Sequence, residues 1–473
     1  MKVQGFFTFL AAVHAAMPGG PEMTHSAHTL NWSNAYTGRL QGQSLETALC
    51  APRVASIAER LGRETAQGIL PFMTMPFRGA LNRDIPVALA AIRHCRHMLV
   101  LGIGGSALGA RALQKAFAPG QDRPGHSGPW LWIADNVDAD TLMAYFAKLP
   151  AKETALVVIS KSGGTIETQG QYFLARQWLR QELGDGWRKQ VVMVTDEKLG
   201  FLREEATREG IATLPVPDYL GGRYSALSAV GMLPAAFMGM QWQELMEGAS
   251  SLFAPLLEDM SRLGSHPAWK LAVWNTMLME KGYSQLIFFS YIPLWSWFGA
   301  WFSQLWAESL GKEGKGSMPV SAIGVTDQHS VNQMFLDGPR DKGCLFLHAP
   351  SLDKGPAFPN ETPEKWVYLK GKRFGDLLDA EALGTRMALA SCGVPLVDIA
   401  MGDSGEFVAG KLMGLLELTT ILTGWLIGIN PVDQPAVELG KRLANARLGA
   451  SGYPEETGAL NEFLARKGAV DAF

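Results

Sequence analysis

The chain has 473 residues, of which 47% are hydrophobic and 18% are charged. This proportion of apolar residues excludes a disordered chain, and the length favours two packed domains. The 42 Lys and Arg residues against 45 Asp and Glu give a net charge of -3, which argues against nucleic-acid binding because such proteins carry a basic surplus.

The N-terminal residues and the cysteines indicate in which cellular compartment the protein is expected. A short apolar stretch, Phe6–Ala16, weakly resembles a signal peptide, but Thr8 and His14 interrupt it. We interpret residues 1–22 as a loose extension or the product of an upstream start codon, with Met23 an alternative start. The cysteines are far apart and form no Cys-x-x-Cys pair, so neither disulfides nor a thiolate metal site is indicated. The sequence therefore predicts a reducing, cytoplasmic setting for a chain with cysteines at Cys50, Cys95, Cys344 and Cys392.

Short β-branched runs bounded by Gly, Pro or Asp alternate with helical patterns, which is typical of parallel α/β folds. Two sets of predicted strands are separated by a helical region from about Tyr224 to Lys281. The first set is Met98–Ile103, Trp130–Ala134, Leu156–Ser160, Val191–Thr195 and Ala212–Val216. The second set is Gln285–Phe289, Val320–Val325, Leu345–His348, Trp366–Leu369 and Leu396–Ala400. Two successive open sheets are therefore predicted.

Two apolar runs could be mistaken for membrane spans, one between Lys281 and Glu308 and the other from Leu418 to Val432. A spanning helix needs about 20 consecutive apolar residues. Pro293 and several Ser and Gln residues interrupt the first run, so a buried strand followed by a buried helix explains it better. We interpret the second run as a core helix and predict no membrane partner.

Open parallel sheets bind ligands at the carboxyl ends of their strands, so the loops that follow the strands are the candidate site. The loop Gly102–Gly109 is rich in glycine, which lets backbone N–H groups approach an anion. A dinucleotide-binding turn would need an acidic residue about 20 positions further on, at the end of the next strand. Asp135 directly follows that strand but lies about 30 positions on, so the dinucleotide-binding pattern is matched only in part. A turn that only packs strand against helix is the remaining alternative.

The segment Ser160–Thr168 follows the third predicted strand, and around its two glycines lie a lysine and three hydroxyls, those of Ser160, Ser162 and Thr165. Hydroxyl donors, exposed amides and a helix N-terminus are what a phosphate monoester binds. The alternative is a helix N-cap supplied by Ser162 or Thr165, although a cap needs only one hydroxyl. The segment predicts phosphate binding, but not a nucleotide P-loop, whose Gly-Lys-Ser/Thr ending is absent.

Two charged residues are candidates for the chemistry itself. Arg223 lies beside two glycines and could stabilise an anion, although a surface charge is the alternative. Glu308 is the first charged residue after Lys281 and lies four positions after Gln304, on the same helix face. A carboxylate at the edge of a dry region suits proton abstraction, and an exposed pair with Lys312 is the alternative.

Three further polar residues follow predicted strands or open helices. His329 lies in the loop after the strand that ends at Val325, where a histidine suits acid–base work. Gln434 and Lys441 are seven positions apart and face the same way two turns on. A solvated lysine next to Arg442 is the alternative for Lys441.

Taken together, these stretches resemble the phosphoglucose isomerase family, in particular its shorter bacterial form. The Gly-Gly-Arg-Tyr-Ser and Asp-Gln-x-x-Val-Glu-x-x-Lys patterns are specific, whereas the others alone are weak. The matching stretches run in the family's order from about residue 95 to 445, and they are Gly102–Gly109, Ser160–Thr168, Gly221–Ser225, Gln304–Lys312, Gln328–His329 and Asp433–Lys441.

The resemblance implies an α/β fold with two sugar-isomerase (SIS) type domains, each a five-stranded parallel sheet flanked by helices in three layers. We expect an N-terminal extension and helical arm over 1–60 and a first SIS domain with the phosphate loops over 61–235. A helical connection and the second SIS domain would follow over 236–445, with a C-terminal segment over 446–473. The resemblance also implies a homodimer whose active site is shared between subunits.

The resemblance further implies an aldose–ketose isomerase of glycolysis and gluconeogenesis that converts glucose 6-phosphate to fructose 6-phosphate without metal or cofactor. Glu308 would move a proton between C1 and C2 through a cis-enediol(ate), and Arg223 would stabilise that anion. His329, supplied by the partner subunit, and Lys441 would open the sugar ring. Binding of the substrate and its phosphate would fall to Gly105, Ser106, Ser160, Lys161, Ser162, Thr165, Gln304 and Gln434.

One departure and three alternatives remain. Gly164 stands where the family usually has a threonine, which removes one hydroxyl from the phosphate loop. A bifunctional phosphoglucose/phosphomannose isomerase and a non-catalytic sugar-phosphate sensor are the alternatives closest in fold, and a nicotinamide dehydrogenase is the weakest. Retention of Glu308, Arg223, His329 and Lys441 speaks against the sensor, because binding a phosphate requires none of them.

Overall fold

The computed structural model describes residues 28–48, 51–351, 354–466 and 468, and in these ranges the strands form two five-stranded sheets. One sheet has the order β3-β2-β4-β5-β6 and is parallel throughout. The other has the order β1-β10-β9-β7-β8, with β1 antiparallel to β10. The strands are β1 Thr29–Asn34, β2 His97–Leu101, β3 Trp130–Ala134, β4 Thr154–Ile159, β5 Val191–Asp196, β6 Ala212–Val216, β7 Gln285–Ser290, β8 Met318–Ile323, β9 Lys342–His348 and β10 Leu396–Ala400.

Helices connect successive strands and cover both faces of the sheets. In the described ranges they are α1 Leu45–Ala48, α2 Ala51–Ala66, α3 Pro71–Thr74, α4 Ala80–Ala91, α5 Leu108–Phe117, α6 Ala139–Lys148, α7 Ile166–Leu183, α8 Phe201–Glu209, α9 Ala229–Phe237, α10 Trp242–Glu258, α11 Pro267–Glu280, α12 Phe298–Leu310, α13 Asn332–Asp337, α14 Phe374–Ser391, α15 Glu406–Leu426, α16 Glu438–Arg447 and α17 Pro454–Ala465. The predicted α/β class, with parallel-sheet cores flanked by helices, is confirmed. The expectation that both five-stranded sheets are wholly parallel is wrong for the second sheet, because its edge strand β1 pairs antiparallel with β10.

The predicted strands were recognisable because parallel strands covered on both faces consist of continuous apolar runs. In β4, for example, every residue is buried. In β2, Met98 and Val100 face one apolar cluster while Leu99 and Leu101 face another, as the two-residue period of a strand requires. The predicted helical region between the two sets is also observed, as α9, α10 and α11.

One predicted strand is wrong. Trp366–Leu369 lies in a 3-10 helix, Glu364–Leu369, and its aromatic side chains are largely exposed. The run is rich in β-forming residues but has no sheet edge to bury them against, because β1 occupies the open edge of β10. The N-terminal segment, expected to be an extension and a helical arm, therefore also contributes a strand to the second sheet.

The largest apolar cluster lies between the two sheets and includes residues from both, and a smaller cluster covers the outer face of each sheet. The central cluster crosses the predicted domain boundary at residue 235, so the domain limits stay a prediction.

Of the described helices, α15 is the one long and apolar enough to cross a membrane by length and composition, and 89% of its apolar window is buried inside the protein. The run Leu418–Val432, predicted as a core helix, is helical as far as Leu426, where α15 ends, and the run after Lys281 forms β7 and α12.

Candidate active site

A buried guanidinium, that of Arg223, lies where three distant segments meet. Its side chain is 1% exposed. The Nε atom donates to Ser309 Oγ at 2.7 Å, and one terminal nitrogen donates to the carbonyl oxygens of Pro431 and Asp433 at 2.8 and 2.9 Å. These bonds compensate the cost of burying the charge, so Arg223 is a structured buried cation and not a surface charge.

The other terminal nitrogen of Arg223 faces the catalytic candidates. It donates to Gln434 Oε1 at 2.7 Å and lies 3.4 Å from Glu308 Oε2. Gln304 Nε2 donates to the second oxygen of that carboxylate, Glu308 Oε1, at 2.9 Å. The fold thereby brings together four predicted site residues, and the Glu308 side chain remains 32% exposed. The carboxylate is therefore oriented from two sides and open on a third.

Lys312 does not form the exposed pair with Glu308 that the sequence left open. Its Nζ lies 3.0 Å from Asp433 Oδ1 and donates to the Asn430 carbonyl oxygen at 2.5 Å. Burial lowers the pKa of Lys312, and the hydrogen bond to Asp433 opposes this effect. Lys312 therefore links the segment around Asp433 to the end of α12. The Glu308 carboxylate contacts Gln304 and Arg223 instead.

The glycine-rich loop after β2 packs against this cluster. A Cβ atom on Gly105 would lie 2.2 Å from the Gly222 carbonyl carbon and 2.7 Å from the backbone nitrogen of Arg223. Gly104 has a φ of +56°, and a Cβ there would lie 2.8 Å from Gln304 Nε2. Any side chain at these positions would separate the loop from Arg223 and Gln304, so glycine is required for the close approach.

The predicted phosphate segment forms a loop between β4 and α7, beside the loop after β2. Ser160 Oγ and Thr165 Oγ1 lie 3.1 Å apart, and Ser162 is exposed. Thr165 occupies the N-cap position of α7, but its side chain makes no capping hydrogen bond. Ser162 Oγ accepts from the Gly164 backbone nitrogen at 3.3 Å. Two of the three hydroxyls are therefore not committed to capping, which favours the phosphate interpretation.

Lys161 lies in the same loop and is partly buried. Burial lowers the pKa of its ammonium group, whereas the nearby carboxylates of Asp218 and Asp196 raise it. A phosphate monoester would add further negative charge beside this lysine. The loop thus combines a cation, hydroxyls and the N-terminus of an 18-residue helix, all of which favour an anion.

Two predicted residues are not brought to the cluster within the single chain. Lys441 Nζ donates to Glu438 Oε1 at 2.6 Å on the exposed face of α16, as a solvated lysine would. His329 is exposed at the end of the 3-10 turn Thr326–His329, and its ring has no hydrogen bond from the rest of the described chain. In the single chain, neither side chain contacts the cluster formed by Arg223, Glu308, Gln304 and Gln434 among the described residues.

Sequence reasoning missed Ser309 as a contact of the buried arginine. Its hydroxyl accepts from Arg223 and lies 2.9 Å from the Tyr224 hydroxyl. Burial raises the pKa of Tyr224 to about 12, so the phenol stays protonated. No pattern separates Ser309 from other small residues of an apolar helix, and only the meeting of two distant segments identifies it.

Comparisons with known proteins identify the family that this chain resembles. The model of the phosphoglucose isomerase family matches residues 88–347. The glucose-6-phosphate isomerase of Rubrobacter xylanophilus is 40% identical over 360 residues, which cover 75% of this chain and 82% of the relative. That of Thermus thermophilus is 35% identical over 397 residues, which cover 80% and 90%.

Solved structures show the same fold. A hypothetical protein from Thermus thermophilus superposes with a TM-score of 0.81 at 31% identity, covering 89% of this chain and 100% of that one. A glucose-6-phosphate isomerase from Chlamydia trachomatis superposes with a TM-score of 0.68 at 23% identity, covering 84% and 78%.

Proposed function

The chain belongs to the phosphoglucose isomerase family, and we propose that the Glu308 cluster is the centre at which it isomerises its substrate. It is an aldose–ketose isomerase that interconverts glucose 6-phosphate and fructose 6-phosphate. The observation that carries the assignment is the Glu308 carboxylate, oriented by Gln304 and lying 3.4 Å from the buried Arg223 cation.

Glu308 acts as the base in this proposal. It removes the proton from C2 of the open-chain aldose and returns it to C1, so that a cis-enediol(ate) forms between the two steps. General acid–base groups contribute about 10²–10⁴-fold to such reactions. The carboxylate is already oriented by hydrogen bonds before substrate arrives, so little reorganisation accompanies proton removal.

Arg223 stabilises the negative charge of the enediolate. Its bonds to Ser309, Pro431 and Asp433 hold the guanidinium plane, and the nitrogen that faces Glu308 and Gln434 is the one turned towards the reacting carbons. A fixed cation in a buried setting stabilises a developing anion more than a solvated cation does. Gln304 and Gln434 position the substrate beside it.

The substrate phosphate binds at the loops after β2 and β4. Ser106, Ser160, Ser162 and Thr165 donate hydroxyl hydrogen bonds to it, with Lys161 beside them and the backbone of Gly105 lining the approach. Support comes from the hydroxyls left free of capping and from the adjacency of β2 and β4 in the sheet.

Ring opening involves His329 and Lys441, with His329 supplied by a second subunit of a homodimer. Support comes from the exposure of His329 and from the exposed apolar side chains of Val331 and Met334 beside it. Apolar groups next to an exposed acid–base residue suit a contact surface. We place the enzyme in the cytoplasm, in line with the free thiols of Cys95, Cys344 and Cys392 in the described chain.

The first test compares the wild type with Glu308→Gln after treatment with a chelator. Turnover of fructose 6-phosphate is followed by coupling glucose 6-phosphate to a dehydrogenase. We expect the variant to lose at least about 100-fold in kcat, the low end for removing a general base. Glu313→Gln is the matched control, since that glutamate is exposed after the same helix, and it should retain full activity.

The outcomes separate the alternatives. Equal kcat in the wild type and in Glu308→Gln would refute the base assignment while leaving the activity. A wild type that binds the sugar phosphate without converting it would favour the sensor. Conversion of mannose 6-phosphate by the wild type would extend the activity to the bifunctional isomerase, and loss of turnover with the chelator would refute the metal-free reaction.

A further inference from the structure

The phosphate loop between β4 and α7 is held in place unevenly. Its first half is bonded to β5, because Thr195 Oγ1 donates to the Ser160 carbonyl oxygen at 2.8 Å and the Asp196 backbone nitrogen donates to that of Lys161 at 3.2 Å. Its second half contains two consecutive glycines, Gly163 and Gly164, which are the residues with the greatest backbone freedom. This half needs another restraint if the hydroxyls are to keep their positions.

The side chain of Gln169 supplies that restraint. Gln169 lies in the first turn of α7, and its Nε2 atom donates to the Gly163 carbonyl oxygen at 2.6 Å. Gly163 has a φ of +62°, and a Cβ there would lie 3.0 Å from the backbone nitrogen of Leu202, at the start of α8. The glycine is therefore enclosed between α8 and the Gln169 amide.

If packing were its only role, Gln169 would be an unfavourable choice for the stability of the fold. It is 9% exposed, and its Oε1 atom has no hydrogen-bond partner among the described residues. A buried polar atom without a partner destabilises the folded state, whereas an apolar side chain of similar size would not. The amide is therefore better explained by what its nitrogen holds than by its contribution to the core.

We propose that Gln169 is a positioning residue for substrate binding, which fixes the Gly163-Gly164 half of the phosphate loop through the Gly163 carbonyl. This inference rests on the proposed assignment of the loop to the substrate phosphate. A loop ordered in advance loses less conformational freedom when it binds. The Gly163 carbonyl belongs to the peptide group that joins Gly163 to Gly164, so the hydrogen bond from Gln169 restrains the backbone of both glycines.

The test replaces Gln169 with methionine, which is similar in shape but cannot donate a hydrogen bond. Inorganic phosphate is the probe, measured as a competitive inhibitor of fructose 6-phosphate turnover. We expect its inhibition constant and the KM to rise by about 3–10-fold, the effect of losing one net hydrogen bond, while kcat changes less. The substitution removes the unpartnered Oε1, which is stabilising, and takes the donor from the Gly163 carbonyl, which is destabilising, so the melting temperature should change little.

Gln171→Met is the matched control. Gln171 lies on the same helix, is equally buried, and donates through Nε2 to the Asn136 carbonyl oxygen at 2.8 Å, outside the phosphate loop. It should leave the inhibition constant of phosphate unchanged. Gln169→Glu, which keeps the length but presents oxygen to the Gly163 carbonyl, should weaken phosphate binding at least as much as methionine does.

Each result has one meaning. An unchanged inhibition constant in Gln169→Met, or an equal rise in Gln171→Met, would overturn the positioning role. Loss of folding in Gln169→Met would show a structural role and would also overturn it. If phosphate fails to compete with substrate in the wild type, the assignment of the loop itself is wrong, and that failure is visible before any variant is made.

Discussion

At the scale of single residues, the candidate site depends on a buried positive charge, that of Arg223, whose hydrogen bonds compensate the cost of its burial. The guanidinium of Arg223 is satisfied by oxygen atoms from residues more than eighty positions away, among them Ser309 and Pro431. Lysine could not reproduce these bonds, since its ammonium is a point donor on a flexible stem. The sequence identified the arginine, but its partners depend on how three segments meet.

Glu417 is a buried ionisable side chain without such compensation. It lies in α15 with an exposure of 0%, and neither carboxyl oxygen has a hydrogen-bond partner among the described residues. Burial raises the pKa of Glu417 well above its ordinary value, because the ionised form would be left without solvation. The side chain is therefore held in its protonated form.

This carboxyl makes the stability of the protein depend on pH. In the unfolded chain Glu417 ionises in the ordinary carboxyl range, whereas in the folded chain ionisation is opposed. The free energy of unfolding therefore falls as pH rises above that range, by about 1.4 kcal/mol for each unit of pKa elevation, until the folded carboxyl itself ionises.

Glu417→Gln should remove this dependence. We expect the variant to be more stable than the wild type at pH 8 and the difference to shrink as pH falls towards 4.5, as measured by urea unfolding over that range. Glu247→Gln, at an exposed position of α10, is the control and should show no such trend. A variant less stable than the wild type at pH 8 would mean that the carboxylate is ionised and paired.

At the scale of elements, α10 and α15 pack closely against each other in the central core. A Cβ on Gly248 would lie 1.8 Å from the Phe407 carbonyl oxygen, and one on Gly410 would lie 1.9 Å from that of Leu245. These glycines let the two backbones touch. The contact holds α15 in place, and the chain that follows it supplies the carbonyl oxygens of Pro431 and Asp433 to Arg223.

Gly248→Ala should therefore separate the two helices. We expect a loss of about 1–3 kcal/mol or more in the free energy of unfolding, as overpacking of a close contact produces, measured by chemical denaturation. Gly384→Ala is the matched control, because Gly384 lies in α14 with open space around its Cβ position. It should stabilise the protein by about 0.5–1 kcal/mol through helix propensity. Equal effects of the two substitutions would contradict the close approach.

The strand that completes the second sheet, β1, shows where the local sequence pattern fails to predict a strand. β1 is a six-residue segment with alternating partial exposure, TLNWSN, and its register on β10 includes an irregularity between Asn31 and Asn34. An edge strand of this kind carries little apolar signal, since only one of its faces is covered. Trp366–Leu369 has the stronger local β signal and yet forms a 3-10 helix, because β propensity is expressed only where a sheet edge is available.

At the scale of the whole molecule, the proposal that the active site is shared between two subunits has a quantitative consequence. If His329 acts in the site of the partner subunit, then Glu308→Gln and His329→Gln homodimers both lack one group in every site. A heterodimer of the two has one complete site, with the wild-type residue at each position.

Mixing and reassociating equal amounts of the two variants should therefore restore about a quarter of the wild-type activity, since half of the dimers are mixed and half of their sites are complete. Turnover of fructose 6-phosphate before and after reassociation is the measurement, and light scattering during size exclusion checks for the dimer. Activity that stays at the level of the separate variants would place His329 in the site of its own subunit, and a monomeric wild type would refute the shared site.

The sequence by itself determined the α/β class, most of the strands and the segments that we propose carry the chemistry. Buried parallel strands are continuous apolar runs, and a loop such as Ser160–Thr168 must contain its glycines and hydroxyls locally to bind an anion. These properties belong to short stretches of chain, so they can be identified without the fold.

Only the tertiary structure decided which of these residues meet. It placed Arg223 3.4 Å from Glu308 and bonded it to Gln434, left Lys441 and His329 outside the cluster, and revealed Ser309 and Gln169 as supports. Contacts between residues far apart in sequence leave no periodic or compositional signal, because they arise from the packing of whole helices and sheets. Local chemistry therefore predicted the parts of the site, and long-range packing set their arrangement.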